Sequence, residues 1–549
     1  MKKTYRFLVI GLITSTLALV GFKYEDRYFE IAKNLDIFAT LFKELNALYV
    51  DEINPNKAMR TSITSMLKEL DPYTNFYPED DIEDYRTMAT GKYNGIGATV
   101  SNVYGDHTVV MIYEGSPADK GGIKIGDVFT EINGVSLAGR DSEQLGRLLK
   151  GQTDTEVDLT IKRYGQKKPL ELSVKRAVVK TPNVPHYGLI NDEVGYIQLN
   201  DFSATAASEI KTAFEEMKGQ GMKSLVLDLR GNPGGLLNMA IDICNFFIPK
   251  GELVVETKGK VGQWNKKYAA RFNPIDLEMP IAVLINSGSA SASEIVSGTL
   301  QDYDRGVVIG QKSFGKGLVQ TTRPLSFNTQ LKVTTAKYYI PSGRCIQAID
   351  YSHRNADGSV GKVPDSLKST FYTKNGRPVY DGGGVDPDID LEPKELSELT
   401  AQLISKGVIF DFATQYYFKN ELNIPGDNFT PSDDLYTAFK EYVKTSGFAY
   451  VNEAEEALAE LESLASEDKG YAGFKSSLSP LRTMLNKKKD MDMMTYQDEI
   501  KDELALEILS RYHYDNAMKF VSFEKDHEVQ EALKLFKDMP RYKSILAGK

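Results

Sequence analysis

Residues 224–230 and 280–286 are short, mostly apolar runs, with Asp228 near the end of the first, and each leads into a loop of small and polar residues. Runs of this length bounded by glycine-rich turns read as buried strands. A strand at 196–199 followed by a helix near 206–218, and a helix over 236–247 after the first apolar run, extend the alternation. Strand and helix alternating in this way imply an α/β core. Such sheets carry their sites beyond the carboxyl ends of the strands. Here those ends hold Arg230-Gly231-Asn232-Pro233-Gly234-Gly235 and the stretch from Ser287 to Ser293.

The second of these loops offers a nucleophile. Ser291-Ala292-Ser293-Glu294 has the spacing of a capping box, so Ser291 taken alone reads as a helix N-cap. A helix N-terminus also presents backbone N–H groups and a positive dipole end, which are the donors an oxyanion needs. Gly288, Ala290 and Ala292 are small enough for a substrate backbone to approach, although the G-x-S-x-G elbow is not matched. A serine needs a base. The five histidines, His107, His186, His353, His513 and His527, lie away from the core strand ends, except that His353 falls in a polar loop. Lys316, between Gly315 and Gly317, is the alternative. Its amine must be neutral, which demands a fall from ~10.4 to about 7, worth roughly 4.6 kcal/mol, and burial beside Phe314 would favour it. The same segment nearly matches a phosphate-binding loop. However, Gly317 stands where a magnesium-binding hydroxyl is required, and residues 318–324 read as a strand rather than a helix, which excludes nucleotide binding. The turn at 230–235 can aim N–H groups at an anion. Gly95-Ile96-Gly97-Ala98, before another strand, can capture a peptide carboxylate while the peptide adds to the sheet edge.

The remaining sequence sets the frame. A length of 549 residues predicts two to four domains. A net charge of −10 with no dense basic run argues against a nucleic-acid binder. Lys2, Lys3 and Arg6 precede an uncharged run at 7–22, the pattern of an export signal. Sixteen residues are short for a membrane span of about twenty, so a cleaved signal and a retained N-terminal anchor both stay open. Cys244 and Cys345 form no C-x-x-C pair, which excludes a zinc ribbon or a thioredoxin-like site; one disulfide and two free thiols both stay open. Residues 25–90 carry helical periodicity (Ile31, Leu35, Phe38, Leu41, Leu45, Leu48), and a second helix near 57–70 stops at Asp71-Pro72. Short strands at 108–113 and 157–163, the hairpin signal Asn133-Gly134 and a helix over 142–149 mark residues 91–177 as a separate β-rich region. Residues 351–384 read as a polar loop excursion, and 396–549 as charged helices near 395–405, 432–444, 452–465 and 496–514 with no chemical motif.

Together these motifs resemble the C-terminal processing peptidases, also called tail-specific or carboxyl-terminal proteases, over about residues 30–395. The resemblance rests on DPYTNF (71–76), YNGIGA (93–98), GSPADKGGIKIGDVFTEINGVSL (115–137), LDLRGNPGG (227–235), NSGSASASEI (286–295) and GQKSFGKGLVQ (310–320). It implies a multidomain α/β fold: a βα-repeat, crotonase- or Clp-like protease core (178–395), an inserted PDZ β-domain (91–177), N-terminal helices (25–90) after a signal or anchor (1–24), and an added C-terminal helical region (396–549). It implies a serine endopeptidase with a Ser–Lys dyad and neither metal nor cofactor. Ser291 would be the nucleophile, Lys316 the general base and Gln320 the group orienting the lysine. The oxyanion donors would be the N–H groups of Ala292 and of Gly234 or Gly235, and Gly95, Ile96, Gly97 and Ala98 would form the PDZ carboxylate loop. Expected partners are proteins or peptides with free C-termini, cleaved through an acyl-enzyme, with PDZ docking able to assemble the site. A homodimer or adaptor contact through the helical regions, no nucleic acid, and a periplasmic or envelope location anchored at most by residues 7–22 complete the expectation. The alternative is a non-catalytic PDZ scaffold on a degenerate core; a trypsin-like PDZ protease is disfavoured because GNSGG is absent.

Overall fold

The computed structural model describes residues 28–548 apart from 80–81, 83–85, 88–89, 356, 427–428, 467–470, 515 and 518–522. The export segment at 7–22 lies outside the described residues. The chain divides after Phe76 into two compact units.

The first unit holds a helix over 28–48 and a helix over Pro55–Lys68. Asn54 caps the latter and Pro55 opens it, where a missing N–H costs nothing. Asp71 ends the helical run, because its Oδ1 accepts the N–H groups of Tyr73 and Thr74, each at 2.8 Å.

The second unit is organised by a six-stranded sheet: β1 (His186–Leu189), β2 (Val194–Gln198), β3 (Ser224–Asp228), β4 (Ile281–Ile285), β5 (Val307–Gly310) and β6 (Ile389–Asp390). β1 is antiparallel to β2, and every later pairing is parallel. Alternation along the strands sorts their side chains into two layers. Leu225, Leu227, Val283 and Ile285 face the helices α1 (Ala206–Gly219), α2 (Leu237–Phe247) and α3 (Ala292–Asp302). Val226, Ala282, Leu284 and Ile309 face α4 (His527–Lys537) and α5 (Met539–Leu546), through Val529, Ala532, Leu535 and Tyr542. The last two helices of the chain therefore complete the core sheet, which helical periodicity alone did not reveal.

Beside this sheet, Lys266–Ala269, Leu253–Gly259, Gln330–Tyr339 and Leu318–Pro324 pair antiparallel in that order. The strand over Leu318–Pro324 replaces the helix that a phosphate-binding loop needs. Residues 351–384 are more ordered than a loop excursion. Two short ladders run through them, Ile349–Arg354 (which begins just before this stretch) with Val360–Lys362 and Thr370–Tyr372 with Pro378–Tyr380.

The inserted β-rich region is an antiparallel sheet of Ala98–Val103, Asp106–Ile112, Val128–Ile132, Glu156–Lys162 and Leu170–Lys175, with Val135–Ser136 on Val128–Ile132. Asn133 and Gly134, at φ 51° and 72°, form the expected two-residue hairpin turn. The chain enters and leaves this region through one antiparallel ribbon, Lys92–Gly95 against Ala177–Lys180. Helices Glu398–Ser405, Val408–Asn420, Asp433–Thr445, Glu453–Ser466, Tyr471–Thr495 and Gln497–His513 follow the core. Among the described residues, no helix is long and apolar enough to cross a membrane.

Candidate active site

The loops that leave β3 and β4 are joined by hydrogen bonds. Asn286 Oδ1 accepts the N–H groups of Gly231 at 2.8 Å and Gly288 at 3.0 Å. Ser289 Oγ donates to the Leu229 carbonyl at 2.8 Å, while Ala290 N–H and Ser293 Oγ both donate to the Asn232 carbonyl, at 3.0 and 2.9 Å. Backbones this close require small residues. A Cβ on Gly234 would stand 2.6 Å from the Ala290 carbonyl oxygen and 2.8 Å from both Ala292 N and Ser291 Cβ.

Ser291 sits between β4 and α3 at φ 55°, ψ −109°. A non-glycine residue rarely adopts this conformation, which costs on the order of 1–3 kcal/mol and persists where surrounding structure enforces it. It makes a sharp strand-to-helix turn without the flanking glycines of a G-x-S-x-G sequence. Ala292 is the first residue of α3, so its N–H has no helical acceptor. Among the described residues, the N–H groups of Ala292 and Gly235 make no hydrogen bond, whereas Gly234 N–H donates to Asn232 Oδ1 at 2.8 Å.

The lysine loop folds back onto this turn through two groups. The Glu294 carboxylate, in the first turn of α3 and fully buried, accepts Ser313 Oγ at 2.6 Å and Gly315 N–H at 2.7 Å on Oε1. Its Oε2 accepts Ser291 N–H at 2.8 Å and Lys316 N–H at 2.9 Å. Burial outweighs the opposing pull of the four donors and leaves this carboxyl above its ordinary value. The Tyr338 hydroxyl, from the strand Gln330–Tyr339, lies 3.1 Å from the Ser291 carbonyl oxygen and 2.6 Å from that of Lys316. Phe314 N–H donates to the Ser289 carbonyl at 3.0 Å, and Gly317 N–H to Gln347 Oε1 at 2.8 Å. The main chains of Ser291 and Lys316 are therefore held together. Phe314 itself is 47% exposed, so its ring does not close the lysine pocket that the sequence suggested; the buried ring reaching this loop is Tyr338, 1% exposed. Gln320, on Leu318–Pro324, donates from Nε2 to Thr334 Oγ1 at 3.2 Å.

Glu294 was legible only as the far end of a capping box, and Tyr338 carried no sequence signal at all. Both gain their meaning from the fold of other segments around them.

Gly95, Ile96, Gly97 and Ala98 lie apart, bonded within the inserted region. Ile96 accepts Ala118 N–H at 2.7 Å, and Gly97 accepts Tyr113 N–H at 3.0 Å and Ser116 Oγ at 3.2 Å. Gly97 has φ +81°, and a Cβ there would meet Ser116 Cβ at 2.3 Å, so both conformation and space demand glycine. Ala98 opens the edge strand Ala98–Val103, against which the helix Ser142–Leu149 packs. The Tyr93 ring folds across Gly95.

Cys244 and Cys345 are free thiols, the first buried, and burial raises both. Among the described residues, no group of three or more His, Cys, Asp or Glu side chains is placed to hold a metal ion.

Comparison with known proteins finds three family matches. Residues 193–353 match "Peptidase family S41", 108–163 match "PDZ domain", and 399–536 match "Probable PDZ-protease, C-terminal helical domain". A carboxy-terminal-processing protease of Bartonella bacilliformis is 35% identical over 347 residues, covering 62% of this chain and 78% of the relative. A probable CtpA-like serine protease of Staphylococcus aureus is 36% identical over 315 residues, covering 57% of this chain and 62% of the relative. Among solved structures, a photosystem II D1 C-terminal processing protease shares 25% identity over 66% of this chain and 93% of its own, with a TM-score of 0.36.

Proposed function

This chain belongs to peptidase family S41, the family of the carboxy-terminal-processing proteases, and on that premise we propose that it is a Ser–Lys endopeptidase that chooses substrates by their C-terminal tails. The observation that carries the proposal is the joining of the two loops: Glu294 Oε2 accepts the N–H groups of both Ser291 and Lys316. Lys316 takes the proton of the Ser291 hydroxyl as Oγ attacks the scissile carbonyl. The oxyanion settles between Ala292 N–H and a glycine N–H of the neighbouring turn. Gly235 suits that role better than Gly234, whose N–H is engaged by Asn232. The protonated lysine then gives its proton to the leaving amine, and water, activated by the same lysine, releases the acyl-enzyme. Gln320, four residues along the strand from Lys316, orients the amine. Gly95, Ile96, Gly97 and Ala98 hold the substrate carboxylate while its tail adds to the strand Ala98–Val103. The basic residues and uncharged run at the N-terminus support export to the cell envelope.

Turnover of an unstructured protein with an apolar C-terminus tests the reading. Ser291→Ala and Lys316→Ala are each expected to lose at least about 10³-fold in kcat/KM while still binding the tail peptide. Equal degradation by wild type and both variants would remove the dyad. Tail binding with no turnover by the wild type would favour a non-catalytic scaffold.

A further inference from the structure

The turn after β3 and the lysine loop after β5 are both tied at their roots to α4, in the C-terminal helical region. Arg230 starts the β3 turn, five residues before Gly235, and Gln311 stands five residues before Lys316. The Arg230 guanidinium meets Asp526 in two hydrogen bonds, at 2.8 and 3.1 Å, and Glu528 Oε2 at 3.1 Å. It also meets Asp228, at the end of β3, at 2.6 Å. The other Glu528 oxygen accepts Gln311 Nε2 at 3.0 Å, while Gln311 N–H donates to the Ile285 carbonyl, at the end of β4, also at 3.0 Å. One carboxylate, 6% exposed, thus spans the roots of both loops. Asp526 doubles as the N-cap of α4, accepting Val529 N–H at 3.0 Å, so the helix start and the guanidinium are fixed by the same group.

Docking α4 does not require this. Val529, Ala532 and Leu535 are fully buried against the sheet, and apolar contact suffices to seat a helix. Gathering three carboxylates and a guanidinium in a largely buried place carries a desolvation cost that packing alone would avoid. What the cluster adds is direction: it sets the start of the turn whose far end lies beside Ala292, and the start of the loop that ends at Lys316.

We propose that Asp526 and Glu528 are positioning residues for catalysis, through which the C-terminal helical region holds the oxyanion turn and the lysine loop in register. The inference rests on the Ser291–Lys316 reading. A misplacement of about 1 Å can cost 10²-fold in rate. The full-length variants Asp526→Asn and Glu528→Gln are compared with wild type using a short peptide substrate, a fluorophosphonate probe of serine reactivity, tail-peptide affinity and thermal midpoint. Val529→Ala supplies a variant that loosens α4 without touching the cluster. Expected are a fall of about ten- to hundredfold in kcat and in probe labelling for the double variant that combines Asp526→Asn with Glu528→Gln, with KM and tail affinity within about twofold. Val529→Ala should lower the midpoint and keep kcat. Wild-type kcat in the double variant, or an equal loss of kcat in Val529→Ala, would overturn the proposal. Failure of the dyad reading looks different: Ser291→Ala would then retain activity or probe labelling.

Discussion

Glu294 serves two donors with each oxygen: Ser313 Oγ and Gly315 N–H on Oε1, Ser291 N–H and Lys316 N–H on Oε2. No neutral substitute can do the same. In Glu294→Gln one oxygen becomes an NH₂ group, and whichever way the amide turns it faces two donors. A buried donor that loses a charged acceptor costs about 1–3 kcal/mol, so the variant should lose about 2–4 kcal/mol of stability to urea. Its kcat/KM should fall at least about a hundredfold, because the two loops lose their shared acceptor. A variant within about threefold of wild type would show that Glu294 only caps α3. The sequence displayed the Ser291-x-x-Glu294 spacing, and with it the bond from Glu294 to Ser291 N–H. It could not display the other three donors, because a carboxylate collects partners from wherever the chain brings them. Lys316 was legible as a lysine flanked by glycines, but its junction with Ser291 depends on Tyr338, which is ordinary strand sequence until the register of Gln330–Tyr339 is known.

At the scale of elements, the site is two strand-end turns pressed together, and Gly234 is where they touch. Its φ of +96° already disfavours a side chain, and an added methyl would press on the Ala290 carbonyl, Ala292 N and Ser291 Cβ. None of these can yield without moving α3 or the strained Ser291 backbone. Gly234→Ala should therefore lose at least about tenfold in kcat/KM and about 1–3 kcal/mol of stability, read by peptide turnover and denaturant midpoint. Unchanged turnover would mean that the two turns can separate without consequence. The strands that carry these turns were legible because buried strands are apolar and short. The hairpin at Asn133-Gly134 was legible because its turn type demands those residues. The strained turn at Ser291 was not, since no flanking glycines in the sequence mark it. The small ladders within 351–384 were hidden for a similar reason: polar strands lack the alternation that signals a buried face.

At the scale of the molecule, the inserted region is held from two sides. The C-terminal helices grip it where the Tyr104 hydroxyl meets the Lys406 carbonyl, where Tyr164 stacks on Phe418 at 6.2 Å, and where Phe410 and Tyr514 pack against its core. Its ribbon joins the protease core at Glu209 on α1. That carboxylate accepts the Lys180 ammonium at 2.8 Å, Thr205 Oγ1 at 2.7 Å, and the N–H groups of Asn183 and Val184 at 2.9 and 3.1 Å. Periodicity located some of the C-terminal helices but could not say what they cover, because an amphipathic stripe names no partner. That is why residues 396–549 read only as an added helical region, whereas α4 and α5 close the core sheet. The ribbon anchor has a pH dependence of definite sign. Burial acts to raise the Glu209 carboxyl, but Lys180, Thr205 and the backbone donors outweigh it and hold the group below its ordinary value of 4.5. The folded state thus prefers the ionised form more than the unfolded chain does. The stability this contributes is complete above 4.5 and is lost as pH falls through the lowered value. Hydrogen exchange along residues 177–184, corrected for intrinsic rate, should show protection near pH 6 that fades at a pH below the lowered value, ahead of β3 and β4. In Glu209→Gln the same segment should be weakly protected at both values. Wild-type protection that stays flat across this range would place the ribbon's anchorage elsewhere, in the C-terminal helices alone.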